Sequence, residues 1–363
     1  MKILYIITKS EIGGAQTYVA SLSRYMKDQG HTVGVMASRG GWLEHESLEC
    51  GVSFFHNKFF ANTYNPFRVF RAIQQVRKTI QEFQPDIVHV NSGAASFFGR
   101  VAARGLGLKV IYTVHGWSFR KGVPIVQRAV SLLVEKVMRF FTDHVICVSE
   151  YDKHNGINQS IINNENSSVI YNGTTVPLAQ STSQSNEKRR VVFAGRYAPP
   201  KRQEVAIQAL ALLGNLNVEL VCAGQGVRER FFKKIAERLG VQDKVTFQSY
   251  TPSGMSQLYR TADMLVLISD YEAFPMVIIE AMAHGVPVIA SNVGGISEAV
   301  DSQTGVLLDS PDKNSVANAI RSLIENEHRI EKMGSLARER VIDKFSVEEM
   351  CNKTKEIYER YIK

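Results

Sequence analysis

The sequence predicts an α/β chain built on two doubly wound parallel sheets, and three observations carry that prediction. Short apolar, β-rich runs alternate with helix-patterned stretches along all 363 residues. The runs are continuously apolar rather than alternating, which marks strands covered on both faces, as parallel strands are. A polar Ser/Thr/Gln/Asn stretch, Ala179–Asn186, follows Pro177 and separates two such blocks.

In chain order, strands are expected at Ile3–Ile7, Val33–Ala37, Ile87–Val90, Val110–Val114 and His144–Val148. After the polar stretch come Val191–Ala194, Val218–Cys222, Val245–Phe247, Met264–Ile268 and Val286–Ala290. Helices are expected at Gln16–Gln29, Val123–Phe141, Arg202–Leu213, Gly226–Leu239, Ser315–Asn326 and Val347–Ile362. The β-α-β alternation is what makes both sheets parallel. The resulting division is a first Rossmann-like domain, 1–175, a linker, 176–190, a second Rossmann-like domain, 191–346, and a C-terminal helix, 347–363, packing back toward the first domain. Ligands of such sheets bind beyond the carboxyl ends of the strands, so the chemistry is sought in strand-to-helix loops, facing a cleft between the domains.

Composition excludes several classes. The longest apolar runs are strand-sized, far short of the roughly 20 residues that cross a bilayer. The Ile3–Ile7 run at the amino end is too short for a secretory signal, which leads to an expected cytoplasmic location. The four cysteines, Cys50, Cys147, Cys222 and Cys351, form no Cys-x-x-Cys pair and so suggest neither a disulfide framework nor a cysteine zinc site. Neither Gly-x-Gly-x-x-Gly nor Gly-x-x-x-x-Gly-Lys-Ser/Thr occurs.

Four loops carry residues suited to chemistry. Gly13 and Gly14 follow the first strand, where backbone can approach a ligand closely and a helix start offers amides to an anion. His115 ends the strand Val110–Val114 and is positioned to meet a substrate hydroxyl or a developing charge. Arg196 and Lys201 follow the first strand of the second domain, and their forked and compact cations together suit a diphosphate. Glu272 lies just before a helix that opens at Pro275, and Glu280 sits inside that helix among apolar neighbours, where a carboxylate needs a polar partner.

Taken in order, Gly13-Gly14, His115-Gly116, Tyr171-Asn172-Gly173, Gly195-Arg196 with Lys201, and Glu272-(seven residues)-Glu280 with Phe274-Pro275 resemble the signature of retaining family-4-type glycosyltransferases (glycosyl transferases group 1), which have the GT-B fold. Gly294-Gly295-Ile296-Ser297-Glu298 continues the likeness, which spans nearly the whole chain. The resemblance implies that Gly13, Gly14, Arg196, Lys201 and the amides around Phe274, Pro275, Met276 and Val277 bind a donor diphosphate. It implies that Glu272 binds hydroxyls of the transferred sugar, Glu280 the nucleotide ribose, and that His115 contacts the sugar near its anomeric centre. His115 and Glu272 are then the catalytic pair. Two positions depart from the family pattern: Arg202 replaces a common Gly, and Gln16 a common Glu. No Asp-x-Asp is present, so neutralisation of the leaving group is assigned to Arg196, Lys201 and the helix end, with no metal and no cofactor required.

Charge is unevenly placed. Residues 1–175 hold 19 Lys and Arg against 12 Asp and Glu, whereas residues 176–363 hold 24 against 23. No acidic residue lies between Asp86 and Glu135, and Lys58–Lys78 is equally free of them. An anionic partner for the first domain is the corresponding expectation. In the helix at Ile125–Phe141, a stripe of Val126, Val130, Leu133, Val137 and Phe140 suits the core, and the opposite side interleaves Arg128, Lys136 and Arg139 with Ile125 and Leu132. Arg120, Lys121, Ile125, Arg128 and Leu132 are therefore candidate contacts with an anionic membrane or a lipid-linked acceptor. The His-Gly-aromatic stretch followed by this helix also resembles the enzymes that build capsule, exopolysaccharide or lipopolysaccharide on lipid carriers.

The expected function is transfer of a hexosyl or N-acetylhexosaminyl group, with retention, from a nucleotide sugar, with UDP as the leading base, to a lipid-linked glycan. The protein would work peripherally on the inner face of the membrane. Expected partners are the donor, the acceptor and the anionic surface, with no nucleic acid and no oligomeric state assigned. A UDP-sugar 2-epimerase of the same architecture and a non-catalytic nucleotide-sugar binding protein are the alternatives.

Overall fold

A computed structural model describes residues 1–60, 65–120, 122–178 and 188–362. The described chain divides into two compact units, Met1–Gly173 with Val347–Lys363, and Thr174–Ser346. Of the expected linker, residues 179–187 lie outside the described residues, as does Lys121.

The first unit contains β1 (Lys2–Ile7), α1 (Gly14–Asp28), β2 (Thr32–Ala37), α2 (Trp42–Glu49), β3 (Ser53–His56), α3 (Pro66–Phe83) and β4 (Ile87–Asn91). It continues through α4 (Gly93–Ala103), β5 (Lys109–Val114), α5 (Ile125–Met138), β6 (His144–Cys147), α6 (Glu150–Asn158) and β7 (Ser167–Val169). Its seven strands run parallel in the order β3-β2-β1-β4-β5-β6-β7. Side chains alternate across this sheet: Ile3, Tyr5 and Ile7 join a core with Tyr18, Leu22 and Met26 of α1, while Leu4 and Ile6 join another with Val76 and Ile80 of α3 and Ala102 of α4.

The second unit contains β8 (Arg189–Ala194), α7 (Gln203–Leu212), β9 (Val218–Ala223), α8 (Glu229–Arg238), β10 (Val245–Gln248), α9 (Pro252–Arg260) and β11 (Met264–Leu267). It continues with α10 (Met276–Ala283), β12 (Val288–Ser291), α11 (Ile296–Ala299), β13 (Gly305–Leu308), α12 (Lys313–Ile324) and α13 (Glu327–Lys344). Its six strands are parallel in the order β10-β9-β8-β11-β12-β13. The last helix, α14 (Val347–Ile362), returns to the first unit, where Met350, Cys351, Ile357 and Tyr358 enter the core that contains Tyr5 and Tyr18. Both sheets place every expected strand, with β12 starting two residues late because Pro287 cannot donate to a ladder.

The structure corrects the orientation of α5. The stripe expected in the core is exposed: Val126, Val130, Leu133, Val137 and Phe140 all face outward, and Leu133 is 65% exposed. Leu132, expected on the outer side, packs against the core instead. A helical period locates an apolar stripe without saying what covers it, and here a buried ion pair chooses the inward side. Arg100 of α4, fully buried over the Tyr112 ring, donates to the Glu135 carboxylate at 2.9 Å and turns Glu135 and Met138 inward.

Candidate active site

In the second unit, two loops at the carboxyl ends of β8 and β11 are joined through their backbones. β8 runs into Gly195, whose φ of +152° leads into a loop that ends at Lys201. Lys201 forms an antiparallel bridge with Ser269, flanked by hydrogen bonds from the Arg202 N–H to the Ile268 carbonyl (2.9 Å) and from the Asp270 N–H to the Pro200 carbonyl (3.0 Å). Buried Gln203 adds a bond from its side-chain amide to the Arg196 carbonyl at 2.9 Å. Arg196 is exposed at the mouth of this loop.

This clamp brings Lys201 against Glu272. Nζ lies 2.6 Å from Oε1, with both side chains largely buried, although the approach lies off the hydrogen-bonding direction of that oxygen. Glu272 is held from behind by the Gly294-Gly295 turn. The Gly295 N–H donates to the Glu272 carbonyl at 3.2 Å. Gly294 has φ +59°, and a Cβ there would lie 1.7 Å from the same oxygen, so only glycine fits.

Four residues later α10 begins at Met276 with Pro275 as its cap residue. Phe274 is buried against the Phe345 ring (5.2 Å between centroids), which anchors the segment Phe274–Val277 and leaves helix-start amides beside Glu272. One turn further on, Glu280 has the polar partner that its apolar helix demands, the buried Tyr259 hydroxyl of α9. Burial pushes its carboxyl up to about 7, and the hydrogen bond with Tyr259 counters only part of that shift. The structure thus sets Lys201 against Glu272, four residues ahead of the start of α10, and places Glu280 one turn along that helix against Tyr259.

In the first unit, His115 follows β5 directly. Its Nε2 lies 3.1 Å from Oδ1 of fully buried Asn91 at the carboxyl end of β4, and Tyr18 of α1 meets its ring edge-on at 4.9 Å between centroids. Burial lowers its pKa to about 4, so the imidazole is neutral at pH 7. Gly13 caps α1 in an extended conformation that any residue adopts; the space constraint there is the Gln16 side-chain oxygen, 2.7 Å from where a Cβ would stand. Gln16 itself donates to the Lys9 carbonyl at 3.2 Å. Ile125 and Arg128 are exposed on α5, Arg120 is partly buried ahead of it, and Leu132 is withdrawn into the packing beneath.

Sequence reasoning missed Asn91, Tyr18 and Tyr259. Asn91 is the last residue of a strand, so the rule that led to His115 also points to it. Tyr259 carries no sequence signal, because only tertiary packing sets it against Glu280.

Two parallel-sheet units with cationic and carboxylate groups on strand-to-helix loops are the architecture of GT-B glycosyltransferases. The chain belongs to this family: the model of Glycosyl transferases group 1 matches residues 178–340, and that of Glycosyltransferase Family 4 matches residues 12–176. Among relatives, it is 28% identical over 306 residues to the Escherichia coli O-antigen biosynthesis glycosyltransferase WbnH, covering 84% of this chain and 85% of that one. It is also 28% identical over 307 residues to the putative glycosyltransferase EpsD of Bacillus subtilis, covering 80% of each. Among solved folds, Anabaena Alr3699/HepE in complex with UDP-glucose superposes with a TM-score of 0.86 at 23% identity, over 99% of this chain and 100% of that one. Sucrose-phosphate synthase of Thermosynechococcus elongatus does so at 0.87 and 22%, over 99% and 98%.

Proposed function

We propose that this glycosyltransferase moves a hexosyl or N-acetylhexosaminyl group from a UDP-sugar to a lipid-linked glycan in cell-surface polysaccharide synthesis, with retention and without a metal ion. The observation that carries the reading is the Lys201–Glu272 pair at 2.6 Å, set between the Gly195-Arg196 loop and the start of α10. One cation already neutralises the carboxylate suited to sugar hydroxyls, and Arg196 with the amides of Phe274–Val277 supplies further positive potential for a diphosphate. In this reading Glu280 accepts ribose hydroxyls and His115 meets the transferred sugar. The likeness to the O-antigen biosynthesis glycosyltransferase WbnH supports the polysaccharide setting.

In this mechanism the acceptor oxygen bonds to the anomeric carbon on the face from which the diphosphate departs. The acceptor proton passes to the departing phosphate oxygen, and Arg196 and Lys201 hold the negative charge that develops there.

The first unit supplies the acceptor side. Residues 57–142 contain 13 Lys and Arg against three Asp and Glu, and one of those acids, Glu135, is buried with Arg100. Ile125, Val126, Val130 and Leu133 stand exposed on α5 and Phe140 just beyond its end, among Arg128, Lys136 and Arg139, and Phe67 and Phe70 stand exposed beside Arg68 and Arg71 on α3. Apolar side chains among cations fit peripheral docking on an anionic lipid surface at the inner face of the membrane. No helix among the described residues is long and apolar enough to cross a membrane.

The direct test is a screen of UDP-glucose, UDP-galactose, their N-acetylhexosamine counterparts and GDP-mannose for thermal stabilisation and for slow hydrolysis, with and without EDTA. One UDP-sugar is expected to stabilise the protein and to be hydrolysed to the sugar of unchanged anomeric configuration, insensitive to EDTA. Inversion, loss of turnover in EDTA, or epimerisation of the donor without an acceptor would each overturn the corresponding part of the reading.

A further inference from the structure

The surroundings of His115 specify more than its presence. Asn91 Nδ2 lies 3.3 Å from the His89 carbonyl, which only accepts, so Oδ1 is the atom facing His115 Nε2 at 3.1 Å. A ring nitrogen opposite an oxygen that only accepts carries the proton. The other nitrogen, Nδ1, then holds a lone pair. Ring rotation is limited by Tyr18, inclined at 74° to the imidazole, and Tyr18 is fixed in turn through its hydroxyl, 3.2 Å from Thr113 Oγ1. Thr113 lies 2.7 Å from His89 Nε2, and His89 Nδ1 meets the Tyr358 hydroxyl of α14. Asn91, His89, Thr113 and Tyr358 are completely buried, and Tyr18 nearly so. The C-terminal helix thereby buttresses a chain of polar contacts that ends at the His115 ring.

We propose that Asn91 is a positioning residue that holds His115 as its Nε2–H tautomer, presenting Nδ1 as a hydrogen-bond acceptor to a hydroxyl of the transferred sugar. The inference rests on the placement of His115 at the substrate and deepens it by naming the polarity of the contact. A neutral acceptor cannot serve as a donor to phosphate. It selects sugars that carry a hydroxyl at the contacted carbon over their deoxy counterparts, since a hydroxyl replaced by hydrogen leaves the lone pair unmet.

Long-range 15N–1H correlation spectra of the full chain labelled in histidine read the tautomer directly, without substrate. The expected result is a His115 signal with protonated Nε2 and bare Nδ1, lost to a mixture in Asn91→Leu and kept in Asn91→Asp, whose carboxylate still accepts but moves the His115 titration to higher pH. A protonated Nδ1 in the native protein, or an unchanged spectrum in Asn91→Leu, overturns the proposal. UDP-glucose hydrolysis supplies the second readout. His115→Ala and Asn91→Leu should each lower kcat/KM about tenfold, and the double variant should fall no further than His115→Ala alone. Additive losses overturn the coupling. Unchanged hydrolysis in His115→Ala overturns instead the placement of His115 at the substrate, a failure distinct from that of the tautomer.

Discussion

Lys201 and Glu272 stand 2.6 Å apart although they belong to different strand-to-helix loops, because the Lys201–Ser269 bridge locks one loop to the other. Each side chain is largely buried, so each is left as an unmatched charge when the other is removed. Glu272→Gln and Lys201→Met should each lower kcat/KM for UDP-sugar turnover by about 100-fold or more, the loss usual for a group aimed at developing charge. Unfolding in urea should show a cost of about 1–3 kcal/mol for either variant. Turnover at the native level in both variants, with folding intact, would remove these residues from the site.

Gly294 tests the same arrangement from behind. With φ +59° and the Glu272 carbonyl 1.7 Å from a would-be Cβ, Gly294→Ala must displace the Glu272 segment or the turn itself. Backbone strain of this kind costs about 1–3 kcal/mol, and a shift of Glu272 should reduce turnover more than it reduces stability. Paired measurement of melting temperature and kcat/KM checks this. Full activity in a destabilised Gly294→Ala protein would show that the turn does not position Glu272.

Glu280 gives a pH dependence. Burial raises its carboxyl from the ordinary range to about 7. The stability it contributes is therefore complete below its unfolded pKa and lost as pH rises through about 7, so Glu280→Gln should be more stable than the native protein at pH 8. Binding should show the opposite trend, because the ionised carboxylate is the better acceptor for ribose hydroxyls. Native affinity for UDP-glucose, whose phosphates do not titrate in this interval, should fall up to about tenfold between pH 8 and pH 6, while Glu280→Gln binds weakly at both. Calorimetry at the two pH values decides it, and parallel pH profiles for the two proteins would refute the role.

Strands were the most legible part of this fold, because those covered on both faces announce themselves as unbroken apolar runs, as Ile3–Ile7 and Met264–Leu267 do. The short edge strand β3, half-exposed Ser53–His56, carries no such run. Helix α3 carries its own signals, since Asn65 caps it, Pro66 opens it, and Ala72, Val76, Ile80 and Phe83 keep helical spacing, but its cations make the same stretch read as a basic segment. The loop motifs name Lys201, Glu272 and Glu280, but their partners come from distant segments. No local pattern says that Tyr259 faces Glu280, or that Arg100 pulls Glu135 beneath α5.

The Arg100–Glu135 pair makes its own prediction. Both side chains are excluded from water, so Glu135→Ala leaves a buried guanidinium uncompensated and should cost about 3–5 kcal/mol in urea unfolding. Replacing both partners, Arg100→Met with Glu135→Leu, should recover much of that loss, since no charge then remains buried. A cost for the double variant equal to or above that of Glu135→Ala would mean that the pair stabilises the fold beyond satisfying itself.

Because that pair turns Glu135 inward, the apolar stripe of α5 points to solvent, and this gives a clean test of membrane docking. Val130 is 50% exposed and Leu133 65%, so Val130→Glu with Leu133→Glu should change stability by no more than about 0.5 kcal/mol per site. The same change sets two negative charges among Arg128, Lys136 and Arg139, removing apolar contact and electrostatic attraction together. The native protein should float with phosphatidylglycerol vesicles at low salt, float less as salt shortens the range of the attraction, and not float with purely zwitterionic ones. The double variant should remain in the soluble fraction throughout while hydrolysing UDP-sugar at the native rate, because neither residue belongs to the donor loops. Undiminished flotation of the double variant would assign membrane attachment to another surface, and absence of flotation in the native protein would end the docking proposal.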